Sequence, residues 1–123
     1  MQNDKPKFKD EFKKRLYRYI LELIKFIDHL PKDSTTKVIS TQLLKSGTST
    51  GANYFEARSS SSRKDFTNYF SIALKSANES IFWLAILRDS GKSNKDETDK
   101  LIQETNEIAK ILASSILTLK GRK

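Results

Sequence analysis

Apolar residues recur at alternating steps of three and four through most of this chain, in runs broken by short polar or Pro- and Gly-bearing segments. That rhythm marks helices with one buried face. In the first run Phe12, Leu16, Tyr19, Ile20, Leu23, Ile27 and Leu30 form the stripe, with Ile24 and Phe26 flanking it. It predicts a helix over about 8–29, ended by Pro31, because a proline disfavours helical geometry in the residue before it. In the third run Phe66, Phe70, Ala73, Ala77, Ser80, Leu84 and Leu87 make a heptad seam, predicting a helix over 63–89. A second stripe, Tyr69, Ile72, Ser76, Glu79, Trp83 and Ile86, lies about 100° around the same helix. A helix with two such faces needs two neighbours, or one neighbour and another subunit. Tyr69, Ile72, Glu79, Trp83 and Ile86 are therefore the candidate oligomer interface. The fourth run, Leu101, Thr105, Ile108, Leu112, Ser115 and Leu119, predicts a helix over 94–119.

The second run is different. Val38, Ile39, Leu43, Ala52, Tyr54, Phe55 and Ala57 supply apolar surface, but the middle is small and polar, Ser46-Gly47-Thr48-Ser49-Thr50-Gly51. A helix over 34–58 puts Gly47 and Gly51 one turn apart on the same face. Two glycines inside one helix cost roughly 1 kcal/mol each against alanine. They are read as packing residues that let a neighbouring helix come close. Ser62 and Ser93, each with Asp three residues on, have capping-box form. Gly91 suits a left-handed helix end. Four helices joined by short loops give an all-α, up-down-up-down antiparallel four-helix bundle, one domain spanning 1–123.

Composition narrows the class. The chain has 123 residues, four Gly, two Pro and no Cys, so neither a disulfide framework nor a thiolate metal site is available. The first ten residues are charged and lack the apolar core of a signal peptide. No uninterrupted apolar run approaches a membrane span. A cytoplasmic protein with no membrane partner is the expectation. The formal net charge of +8 permits a nucleic-acid or acidic partner without requiring one.

The letters Gly47-Thr48-Ser49-Thr50-Gly51 match G-x-S-x-G, which carries a nucleophile only on a strand-turn-helix elbow with a histidine downstream. The single histidine, His29, lies upstream, and the flanks read as helix. No catalytic residue, metal ligand or cofactor is expected, and the chain is read as a non-enzyme. Glu56 and Glu79 admit an acid–base or metal role, or a buried polar network that sets register; the two-helix Glu-x-x-His ligand set of a di-iron bundle is missing. Lys7, Lys14, Arg18 and Lys25 share an outward stripe of the first helix, bordered by Lys13 and Arg15. Lys7, Lys14, Arg15, Arg18 and Lys25 are the candidate nucleic-acid contacts, where each neutralised phosphate releases counterions. Against that, Glu11–Arg15 and Arg18–Glu22 have the spacing of ordinary surface pairs. Tyr54, Phe55, Tyr69 and Trp83 are candidates for base stacking or, at helical spacing, for core and interface anchors.

The segment 42–57, Gln-Leu-Leu-Lys-Ser-Gly-Thr-Ser-Thr-Gly-Ala-Asn-Tyr-Phe-Glu-Ala, resembles the signature of a bacterial four-helix-bundle family, the proteins encoded in rRNA intervening sequences. Asp65-Phe66, Ile72-Ala73-Leu74-Lys75, Ala77, Glu79-Ser80 and Trp83-Leu84 resemble the family's third-helix signature, and the likeness runs from about Leu16 to Leu117. The resemblance implies a homo-oligomer, a five-fold ring of bundles. It also implies kinship with the accessory variability determinant of diversity-generating retroelements, a basic pentamer that binds nucleic acid and a reverse transcriptase. RNA or DNA, a reverse transcriptase and further copies of the chain are thus the implied partners. No catalytic residue carries over.

Overall fold

The computed structural model describes residues 10–121. The chain forms α1 (Glu11–Asp28), α2 (Ser34–Ser59), α3 (Arg63–Asp89) and α4 (Lys95–Gly121). Consecutive helices run antiparallel, so the bundle is the expected up-down-up-down one. The starts of α1 and α3 meet the ends of α2 and α4 at one end.

Local chemistry sets the boundaries. Asp10 caps α1, accepting from the Phe12 and Lys13 amides, and Asp33 caps α2 through the Thr36 amide. Ser62 caps α3 as its spacing predicts. The cap of α4 falls one residue later than expected. Asn94 Oδ1 accepts from the Glu97 amide at 2.9 Å, while the Ser93 hydroxyl bonds the Thr98 hydroxyl at 2.6 Å. Gly91, at φ 78°, is the left-handed residue after α3. The expected first helix reached back to residue 8; residues 8 and 9 lie outside the described residues.

The core is one cluster. Leu16, Tyr19 and Leu23 of α1, Leu43 of α2, Phe70, Leu84 and Leu87 of α3, and Ile108 and Leu112 of α4 anchor it. The first and third stripes are buried as expected, apart from half-buried Phe12, Ile20, Ile27 and Phe66. By length and composition α3 is apolar enough to cross a membrane. Its own buried seam accounts for that apolarity, and Lys75 and Glu79 interrupt the helix on its exposed side. The reading of α2 needs correction. Val38 is 65% exposed and Ala52 is exposed. The buried face is Thr36, Leu43, Ser46, Gly47, Thr50, Gly51, Tyr54 and Ala57.

That face meets two neighbours in different ways. Against α3, the most extensive helix pair in the bundle, hydroxyls touch directly: Ser46 to Ser80 and Ser49 to Ser76, both at 2.8 Å. Ser46 and Ser80 also lie within reach of the Leu43 and Ser76 carbonyls, so one hydroxyl of the pair donates to its carbonyl while the other donates across the seam, and Ser49 accepts from Asn53 Nδ2. No buried side-chain N or O atom among the described residues lacks a partner, so the polar seam carries no desolvation penalty from an orphaned group. Against α1 the glycines serve as sockets. A Cβ on Gly47 would lie 2.2 Å from Leu23 Cδ2, and one on Gly51 2.5 Å from Ile20 Cδ1. The expectation that glycine shortens the distance between helix axes is therefore refined. Serine hydroxyls meet across the α2–α3 seam, and the glycines admit the large side chains of α1.

Helix α1 has little contact with α4. Two polar links span that seam: Tyr19 Oη to Thr105 Oγ1 at 2.7 Å, and the Arg15 guanidinium forked onto Glu104 at 2.7 and 2.8 Å. Thr105 donates its own proton to the Leu101 carbonyl, so Tyr19 is the donor in the first link.

Candidate functional site

The outward face of α1 carries Lys14, Arg18 and Lys25 within about 40° of one another at helical spacing, opposite buried Leu16, Tyr19 and Leu23. Arg18 and Lys25 are exposed and make no ion pair among the described residues. Lys14 reaches Glu11 at 3.1 Å, an exposed contact of the kind that contributes little. Neither surface pair expected from spacing forms: Glu11 takes Lys14, and Arg15 takes Glu104. Arg15 is therefore engaged in holding α1 to α4, and its hydrogen bond to Glu104 raises its affinity for its proton above the ordinary value. Lys13 lies over the Phe55 ring, 4.9 Å from its centre. Lys7 lies outside the described residues.

The second stripe of α3 splits. Ser76 is buried against α2 through Ser49, whereas Ile72 is 45% exposed, Glu79 is exposed, and Tyr69, Trp83 and Ile86 are half-buried. Phe82, absent from both sequence stripes, is 56% exposed and lies edge-on to Trp83 at 4.9 Å. Phe82 and Trp83 line a shallow groove of about 720 Å³ that continues to Ile116 and Lys120 on α4, with Lys75 and Glu79 on its flank. An aromatic residue off both stripes, Phe82 beside Trp83, was the available signal for this wider apolar face.

Glu56 and Glu79 are both exposed, so neither belongs to a buried network. Gly47–Gly51 lies inside uninterrupted helix; Ser49 is bonded to Ser76 and accepts from Asn53 Nδ2 at 3.0 Å, with no elbow to present it. Among the described residues no group of three His, Asp or Glu is placed to hold a metal ion. Tyr54 is buried and packs as a ring of the core. Its hydroxyl donates to Asp10 Oδ2 at 2.6 Å. Burial pushes Asp10 up, but Tyr54, the Lys13 and Phe12 amides and nearby Arg58 together hold its carboxyl below the usual carboxylate range. Near the opposite end, Arg88 bridges Asp89 and Asp99, each at 2.8 Å, and Lys95 joins Asp99, pinning the α3–α4 turn.

Fold and surface together define a basic, all-helical bundle with a charged outer helix and an exposed apolar face. The model of the 23S rRNA-intervening sequence protein family matches residues 9–114, and the chain belongs to that family. Among solved structures it is similar to a protein of unknown function from the S23 ribosomal protein family of Bacteroides thetaiotaomicron. The two are 34% identical with a TM-score of 0.80, over 85% of this chain and 97% of that one. None of the curated proteins matches.

Proposed function

We propose that this chain is a non-enzymatic, oligomeric, cytoplasmic protein that binds nucleic acid, RNA or an RNA–protein assembly, through the outward face of α1. The observation that carries this reading is the un-neutralised pair Arg18 and Lys25, in line with Lys14, on a chain of net charge +8. Membership of a family named for rRNA intervening sequences supports RNA over DNA as the first target. Cations on one rigid helix face track a phosphate backbone without reading its bases, so binding is salt-sensitive and weakly sequence-dependent.

The test is the triple variant Lys14→Glu, Arg18→Glu, Lys25→Glu, titrated against labelled RNA at several salt concentrations. Loss of three phosphate contacts lowers the slope of log affinity against log salt by about 2–3. Unchanged affinity and slope would remove this face as the site.

A second reading has its own observation, the exposed Ile72, Phe82 and half-buried Trp83 on α3. Here the protein is an interaction scaffold, assembled as a ring of identical bundles and serving a partner such as a reverse transcriptase. Replacing Trp83 and Phe82 with alanine then shifts the scattering mass towards the 14.1 kDa monomer while helicity is kept. A wild-type protein already monomeric at high concentration rules the ring out.

A further inference from the structure

The end of the bundle where α1 and α3 begin and α2 and α4 finish carries Lys13, Lys14, Arg58, Arg63, Lys64 and Lys120 among its described residues.

That end is also open. A cleft of about 540 Å³ enters between the helices there, walled by Phe12, Tyr54, Phe66 and Phe70 on one side and by Ser115 and Thr118 of α4 on the other. The volume is within the roughly 300–1,000 Å³ typical of ligand sites. Its rings are already ordered against one another. Phe66 stacks on Phe70 at 4.8 Å, Tyr54 leans on Phe70 at 5.4 Å, and Phe12 meets Tyr54 edge-on at 4.9 Å. The Arg58 guanidinium lies 5.7 Å from the centre of the Phe66 ring and 3.5 Å from Asp10. Arg63 reaches across to the Leu119 carbonyl, also on the cleft wall, at 3.1 Å. Pre-ordered aromatic surface beside arginines suits a flat π-system joined to an anion.

We infer that this end binds a single-stranded segment of nucleic acid, with one unpaired base entering the aromatic cleft and the adjoining phosphates on Arg58 and Arg63. The inference deepens the reading above and rests on it. Aromatic walls and an adjacent cation form a stacking platform that every base satisfies, which gives affinity without sequence preference. A base inside a duplex is covered on both faces and cannot enter. An acidic peptide would satisfy the charge and leave the aromatic walls unfilled. The α1 face, a straight row of cations, makes no distinction between one strand and two.

The experiment compares an unstructured labelled RNA 12-mer with the same strand in a duplex, by fluorescence anisotropy at fixed salt. The wild-type chain holds the single strand more tightly. Phe66→Leu keeps the volume and removes the flat face; it weakens single-strand binding roughly tenfold and leaves duplex binding unchanged. Thr118→Phe fills the cleft from an exposed position and reproduces that loss, so the result does not depend on one core variant folding. Equal affinity for strand and duplex, or variants that leave the single-strand affinity intact, overturns the inference. Should Lys14→Glu, Arg18→Glu, Lys25→Glu abolish binding while both cleft variants bind normally, the cleft falls and the α1 reading stands. A wild-type chain without salt-dependent RNA binding ends both.

Discussion

Gly47→Leu leaves the chain unable to dock its first helix, and the protein loses about 3 kcal/mol or more of stability. The reason is geometric. A Cβ at residue 47 falls 2.2 Å from Leu23 Cδ2, far inside van der Waals contact, and Leu23 is wholly buried. The milder Gly47→Ala separates two opposing effects. Alanine gains roughly 1 kcal/mol of helix propensity, while overpacking costs about 1–3 kcal/mol. The net is a loss of about 1 kcal/mol. Leu23→Ala alone opens a cavity costing about 2–5 kcal/mol. Combined with Gly47→Ala it costs less than the sum, because the methyl occupies space that the leucine vacated. Gly51→Ala is gentler, since its Cβ meets the end of a half-buried Ile20 side chain at 2.5 Å. Urea denaturation of the five variants checks the series. A stabilised Gly47→Ala with no coupling to Leu23 would mean the socket does not exist.

Raising the pH from 10 to 12 costs the protein about 2 kcal/mol through Tyr19 alone. Burial pushes the Tyr19 hydroxyl up to about 12, partly offset by its hydrogen bonds to Thr105 and Ser80, with Glu104 adding to the rise. The unfolded chain ionises this group near pH 10. The folded form thus keeps a proton that the unfolded form releases. The stabilisation is complete below pH 10 and is lost as pH climbs through 12. Tyr54 adds to the same trend, because burial and then its bond to Asp10 raise it as well. Tyr19→Phe isolates the effect. It sacrifices about 1 kcal/mol near neutrality, the worth of one hydrogen bond. Its stability then falls less steeply than the wild type's between pH 10 and 12. Parallel denaturation profiles for the two proteins would contradict a buried, hydrogen-bonded hydroxyl at this position.

Both results turn on α1, the helix with the fewest ties to the bundle. Its seam with α4 rests largely on Tyr19–Thr105 and Arg15–Glu104. Its remaining hold is the insertion of Leu23 and Ile20 at the glycines of α2. The same helix presents the cations proposed to meet RNA, so Arg15 cannot be counted among freely available contacts while it is paired with Glu104.

The sequence by itself determined four helices, their order, their near-exact limits and the buried stripes of α1, α3 and α4, because a 3.6-residue period in apolar side chains is a local property. It also showed that Gly47 and Gly51 had a packing role, since two helix-breaking costs in one helix require a return. What fills the glycine face was settled only by tertiary contact: the periodicity of α2 says nothing about which neighbour lends a leucine. Partners of charged side chains were equally out of reach. Spacing along a helix favoured Glu11 for Arg15, but a forked bond to Glu104 across the bundle won, since a second helix offers both carboxylate oxygens at once. The aromatic cleft where α1 and α3 begin draws on all four helices, and no single stretch of chain contains enough of it to be read.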